Sequence, residues 1–129
     1  MRVLIVDDHT LVRAGLSRLL QTFADVDVVA EASTADQAID LAAIHRPDLV
    51  LLDLSLPGRT GLEALSGILE QAPGIRVVMM SMYDDPQHVR DALDRGAAGF
   101  VVKDAAPLEL ELALRSAAAG EVFLSPRIS

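Results

Sequence analysis

The sequence predicts an α/β fold in which a parallel sheet of five strands is covered by helices on both faces. Two observations carry that expectation. Short runs of Val, Leu, Ile and Met alternate with longer stretches whose apolar residues recur at helical spacing, and strands buried on both faces read as continuous apolar runs of this kind. Four of the runs also end abruptly in polar residues. Val3-Leu4-Ile5-Val6 ends in Asp7 and Asp8, Leu49-Val50-Leu51-Leu52 in Asp53, Val77-Val78-Met79-Met80 in Ser81, and Phe100-Val101-Val102 in Lys103. Four strands then deliver polar groups to one rim of the sheet.

Taken in order, the first strand leads into a helix whose apolar residues Val12, Leu16, Leu19, Leu20 and Phe23 fall at i, i+4, i+7, i+8 and i+11. That stripe should face the core. A second strand follows around Val28-Val29-Ala30. Thr34 and Gln37 then have the spacing of a capping box, opening a helix that runs to about Ile44 and is stopped by Pro47. The third strand closes on Asp53, and Ser55, Pro57 and Gly58 follow as turn residues. A third helix is expected from about Leu62 to Gln71, ended by Pro73-Gly74 ahead of strand four. Pro86 suits the first turn of a fourth helix that continues to about Arg95 and stops at Gly96. In it, Arg90 with Asp94 and Asp91 with Arg95 are spaced for ion pairs on an exposed face. Gly99 begins the fifth strand. The fifth helix starts at Pro107, carries Leu108, Leu110, Leu112 and Leu114, and ends at Gly120, a natural left-handed cap. Residues 1–119 read as one domain and 120–129 as the start of a linker.

Bulk properties agree with a single globular domain: 129 residues, 51% hydrophobic and 23% charged. A net charge of -8 argues against this segment gripping nucleic acid by itself, since binding a phosphate backbone requires clustered Lys and Arg. The absence of cysteine excludes a disulfide framework and a thiolate metal site and suits a reducing compartment. The apolar stretch behind Met1-Arg2 lasts four residues before Asp7, far short of a signal-peptide core or a membrane span. The expectation is a soluble, cytoplasmic protein with no membrane partner.

In doubly wound sheets a ligand binds beyond the carboxyl ends of the strands, where the strand order reverses. For the flavodoxin-like (βα)5 order 2-1-3-4-5 that point lies between strands one and three, which carry Asp7, Asp8 and Asp53. Packed together these carboxylates repel one another, so a proton or a cation must neutralise the cluster. A hard divalent ion with oxygen ligands fits, Mg²⁺ foremost with Mn²⁺ as a substitute, because such ions take a few carboxylates and bridge to phosphate oxygens. With Lys103 adding positive charge, a phosphoryl group can approach Asp53, whose carboxylate attacks phosphorus to give an acyl phosphate, while Ser81 donates a hydrogen bond to a phosphoryl oxygen. His9, His45 and His88 are read as ordinary residues, because imidazole matches Mg²⁺ poorly. Met79, Met80 and Met82 are read as strand and core filler.

Over essentially the whole chain the sequence resembles the receiver domain of bacterial two-component response regulators. The resemblance rests on VLIVDDH at 3–9, LLDLSLPGRTG at 51–61, MSMYDD at 80–85 and GAAGFVVKD at 96–104. It implies that Asp53 accepts phosphate from the phosphohistidine of a sensor histidine kinase. It also implies that Asp8, Asp53 and the Ser55 carbonyl ligate Mg²⁺, that Asp7 assists through water, and that Lys103 pairs with the phosphoryl group. Ser81 and Phe100 would rearrange together as the switch, with Phe100 standing where Tyr is frequent. VDDHTLVRAGL at 6–16 and AAGEVFLSP at 118–126 resemble the NarL/FixJ type, whose receivers precede a LuxR-like helix-turn-helix. That implies a DNA-binding transcription regulator, with DNA contacted through a domain absent from this chain and a homodimer formed on phosphorylation. Ser55 and Tyr83, two positions beyond Asp53 and Ser81, flank the approach of water and would tune the lifetime of the phosphorylated state.

Plainer roles exist for each residue. Asp7 and Asp8 suit a helix N-terminus, Lys103 a solvated surface, Ser81 a strand end and Phe100 the core. A haloacid-dehalogenase phosphatase also uses an aspartate nucleophile, but its second acid two residues on is Ser55 here, leaving no general acid for a leaving group. A flavin binder needs a phosphate-welcoming first loop, and Asp7-Asp8-His9-Thr10 repels one. A phosphorylation-independent interaction module is opposed by the intact set of Asp8, Asp53 and Lys103. The expected role is therefore a regulatory phosphoacceptor, not an enzyme acting on outside substrates.

Overall fold

The computed structural model describes residues 1–128. The strands are β1 (Arg2–Val6), β2 (Asp27–Ala32), β3 (Leu49–Asp53), β4 (Arg76–Ser81), β5 (Gly99–Val102) and β6 (Phe123–Leu124). The helices are α1 (Thr10–Leu20), α2 (Ala35–His45), α3 (Gly61–Gln71), α4 (Pro86–Asp94) and α5 (Pro107–Ala118). All strand pairs are parallel and the sheet order is β2-β1-β3-β4-β5-β6. The first five strands thus have the doubly wound, flavodoxin-like order expected from sequence.

Alternation along each strand divides the core in two. Leu4, Val6, Val50, Leu52, Val77, Met79 and Phe100 pack with the buried faces of α2, α3 and α4. Val3, Ile5, Leu49, Leu51, Val78, Met80 and Val101 pack with Leu20 of α1 and with Leu110, Ala113, Leu114 and Ala117 of α5. Every strand residue from Val3 to Val6 and from Leu49 to Leu52 is solvent-free, which explains their unbroken apolar character.

Helix ends differ in detail from expectation. Thr34 caps α2 by accepting the Gln37 N–H, but the Gln37 side chain accepts from Ser33 rather than closing the box. A complete box is found at α3, where Thr60 and Glu63 satisfy each other's backbone N–H groups. Val12, expected in the core, is exposed beside Leu11, as are Leu108 and Leu112 of α5 and Met82 after β4. The stripe on α1 therefore narrows to Leu16, Leu19, Leu20 and Phe23. On α4, Asp91 accepts from Gln87 and Arg95 reaches across to the Leu62 carbonyl and Ser66 of α3. Those partners replace the expected pairing of Asp91 with Arg95.

The segment after Gly120, expected to begin a linker, docks on the sheet as far as it is described; Ser129 lies outside the described residues. Phe123 and Leu124 pair with Gly99 and Phe100 as the short sixth strand. Ser125 is fully buried, and its Oγ accepts the Val102 N–H and donates to Glu109. Polar satisfaction of β5's outer edge thus comes from residues that carry no strand pattern of their own.

Candidate functional site

Register sets the site. Val6 pairs with Leu52, Asp53 with Met80, and Ser81 with Val102, so the residue following each strand's last apolar position arrives at the same rim. Asp7 is held there by a backbone bond from its own N–H to the Ala32 carbonyl, and Lys103 by one from its N–H to the Ser81 carbonyl. Asp7, Asp53 and Ser81 are buried, Asp8 is half-buried, and Ser55 and Tyr83 are exposed. Phe100 is wholly buried among the residues facing α2 to α4.

The Lys103 ammonium lies at the centre, 2.8 Å from Asp53 Oδ2 and 2.8 Å from Asp7 Oδ2. Burial lowers the pKa of Lys103, but the hydrogen bond and charge of Asp53 and the charge of Asp7 outweigh it and hold the ammonium above its ordinary value. Burial pushes the Asp53 carboxyl up and the Asp7 charge adds to that, against the opposing pull of Lys103 and the Ser55 N–H. Three carboxylates against one ammonium leave the pocket short of positive charge.

The other carboxylate oxygens fall into two kinds. Asp53 Oδ1 accepts the Ser55 N–H at 3.0 Å, and Asp7 Oδ1 accepts the His9 N–H at 2.8 Å. Asp8 Oδ1 is shut off from solvent with no hydrogen bond, and Asp7 Oδ2 has none aligned on it although Lys103 is close. Such buried acceptors are costly unless a cation or donor reaches them. Asp7, Asp8, His9 and Asp53 each bring a ligand atom into one group spanning no more than 4.8 Å. Hard carboxylate oxygens with orphaned lone pairs are the donor set a divalent ion requires.

Ser81 Oγ accepts the Tyr83 N–H at 3.1 Å, which ties the backbone after β4 to the site as the Ser55 N–H ties the loop after β3. Gly61 explains how that loop is held. A Cβ at position 61 would lie 2.3 Å from the Asp53 carbonyl oxygen, so only glycine lets α3 start this close to the end of β3.

A family model of the response regulator receiver domain matches residues 3–115. The chain belongs to that family. The receiver is 42% identical over 127 residues to the nitrate/nitrite response regulator protein NarL of Escherichia coli (strain K12), covering 98% of this chain and 59% of NarL. It is 36% identical over 130 residues to the oxygen regulatory protein NreC of Staphylococcus haemolyticus (strain JCSC1435), covering 100% of this chain and 60% of NreC. The crystal structure of a LuxR-family two-component response regulator from Aurantimonas sp. SI85-9A1 matches with a TM-score of 0.95 and 37% identity, covering 98% of this chain and 91% of that one. The receiver is thus of the NarL/FixJ type and spans about three-fifths of the length of the NarL and NreC relatives. Response regulators are regulatory proteins that partner with sensor histidine kinases, and receivers bind Mg²⁺ at an acidic pocket; the acidic group at this rim has the right composition. No helix among the described residues is long and apolar enough to cross a membrane.

The rim therefore gathers Asp7, Asp8, Asp53, Ser81 and Lys103 as their positions in sequence suggested. His9, read from sequence as an ordinary residue, also lies at this rim, its imidazole Nδ1 3.2 Å from Asp8 Oδ1 and 3.3 Å from Asp7 Oδ1.

Proposed function

We propose that this receiver accepts a phosphoryl group on Asp53 from the phosphohistidine of a sensor histidine kinase, in a Mg²⁺-dependent reaction. The observation that carries the reading is the Lys103 ammonium 2.8 Å from both Asp53 and Asp7, beside buried carboxylate oxygens with no hydrogen bond. Mg²⁺, or Mn²⁺ in its place, held by Asp8, Asp53 and the Ser55 carbonyl, supplies positive charge for the phosphoryl oxygens.

Asp53 is the nucleophile. Its carboxylate forms a new O–P bond as the P–N bond to the donor imidazole breaks, and the electron pair returns to that nitrogen. Lys103 keeps Asp53 aligned beforehand and pairs with a phosphoryl oxygen afterwards. Asp7 fixes the ammonium from the other side and assists the ion through water. Ser81 releases the Tyr83 N–H and donates its hydroxyl to a phosphoryl oxygen, and Phe100, one strand over, shifts with it as the switch. That coupling runs through Met79 and Ser81, which pair with Phe100 and Val102. Ser55 and Tyr83 flank the path of the water that later hydrolyses the acyl phosphate, and so set its lifetime. The chain is a phosphoacceptor that promotes only its own phosphorylation and dephosphorylation, since no second acid stands two residues after Asp53.

The longer protein is read as a cytoplasmic transcription regulator. Residues 1–119 act as its receiver, 120–129 lead towards a helix-turn-helix domain that contacts DNA, and phosphorylation favours a homodimer. The relatives' greater length supports this, as does the LuxR-family description of the matched structure. The direct test is intact mass after incubation with acetyl phosphate and Mg²⁺. One phosphoryl adduct, lost with Asp53→Asn or a chelator, supports the reading. No adduct, and no complex with beryllofluoride either, turns it towards a phosphorylation-independent module.

A further inference from the structure

We propose that His9 is a direct ligand of the divalent ion, through Nδ1, and that it tilts the pocket's preference from Mg²⁺ towards Mn²⁺. The inference rests on the reading of the acidic rim as a metal site and adds a nitrogen donor to it. The His9 ring stands over the rim, and its Nδ1 is 3.3 Å from Asp7 Oδ1 and 3.2 Å from Asp8 Oδ1. Neighbouring ligand atoms on an octahedral ion with bonds of about 2.1 Å are about 3 Å apart. Nδ1 and Asp8 Oδ1 are thus spaced as adjacent ligands of one ion. The whole group of Asp7, Asp8, His9 and Asp53 fits within 4.8 Å, close to the span of opposite ligands.

Asp8 Oδ1 is what points to an ion here, because it is buried and accepts no hydrogen bond. Asp7 Oδ2, on a side chain with no exposure, has no aligned hydrogen bond either, although the Lys103 ammonium is 2.8 Å away. His9 sits at the N-cap of α1, yet its side chain caps no N–H of the helix, and it is largely exposed. Without an ion its Nδ1 is hydrogen-bonded to Asp7 Oδ1 at 3.3 Å, a bond that ligation replaces, the ring then carrying its proton on Nε2 and turning the Nδ1 lone pair to the ion. Imidazole adds little for Mg²⁺ but favours later first-row ions, whose order of affinity begins with Mn²⁺. A pocket of three carboxylates and one imidazole therefore separates the two ions where an all-oxygen pocket would not.

The test uses Mn²⁺ itself as the probe. Electron spin-echo modulation on the Mn²⁺-loaded protein should show coupling to an imidazole ¹⁴N nucleus, absent in His9→Gln. The ratio of Mn²⁺ to Mg²⁺ affinity should fall about tenfold in that variant, as losing a ligand or its support typically does. Mn²⁺ bound with no nitrogen coupling, or an unchanged ratio in His9→Gln, overturns the ligand role and leaves the acidic site standing. Failure of the protein to bind Mn²⁺ at all overturns both.

Discussion

Asp53, the proposed phosphoacceptor, is costly to the fold. Its pKa is raised in the folded chain, first by burial, so its ionised form opposes folding. The contribution is most favourable below the unfolded pKa and is lost as pH rises through the folded value. Asp53→Asn should therefore raise Tm at neutral pH, by roughly 4 °C per kcal/mol recovered in a chain of this size. The gain should shrink to nothing on acidification below both values, and thermal melts across a pH series check it. Lys103 runs the same way with opposite charge: its raised pKa gives stability that is whole below about 10.5 and fades as pH climbs through the folded value. The site's acids, Ser81 and Lys103 could be read from sequence because each breaks an apolar run. The role proposed for His9 could not, since it depends on how one exposed ring turns at the start of α1, and no pattern of residue types encodes that.

Among the elements, the α3 start and the β6 strap make the sharpest predictions. Gly61→Ala forces a Cβ against the Asp53 carbonyl and the Leu54 backbone, and a strained fit of that kind costs about 1–3 kcal/mol or more. The chemical denaturation midpoint should fall, and phosphoryl transfer should slow because the strained contact bears on Asp53 at the end of β3 and on the loop that carries Ser55. Ser125→Ala leaves the buried Val102 N–H without an acceptor and Glu109 without its donor, costing about 1–3 kcal/mol. Hydrogen exchange should quicken at Val102 and at Ser125, whose own amide bonds to the Phe100 carbonyl, while β1 and β3 stay protected. Strands β1, β3, β4 and β5 were legible as apolar runs. β6 was not, because two residues cannot show a period and its place is decided by β5's open edge. The capping box was looked for at Thr34 and Gln37, although Thr60 and Glu63 had the same spacing in sequence, with the acid that completes it.

Across the whole molecule, a parallel sheet turns residues some 50 positions apart, such as Asp53 and Lys103, into one pocket, because every strand ends on the same rim. The reversal between β1 and β3 explains why Asp7 and Asp53 meet there, and the strand count with right-handed crossovers was enough to foresee it. The pocket's shortage of positive charge follows from three acids expected at one point; what the pattern could not supply is which carboxylate oxygens are left without a hydrogen bond, which depends on side-chain geometry. An ion that fills the pocket should stabilise the fold by mass action: Mg²⁺ at about a hundred times its Kd gives about 2.7 kcal/mol, a rise in Tm of roughly 10 °C. Chelation should abolish that increment, and Asp8→Asn should shrink it even if the variant's metal-free Tm is higher. The central claim is that the phosphoryl group rests on Asp53, and the measurement that tests it most directly is borohydride reduction of the phosphorylated protein followed by peptide sequencing by mass. Reduction converts an aspartyl phosphate to homoserine, and the account predicts homoserine at position 53 alone. Homoserine at 7 or 8, or a phosphoryl group retained on another residue with position 53 unchanged, would contradict it.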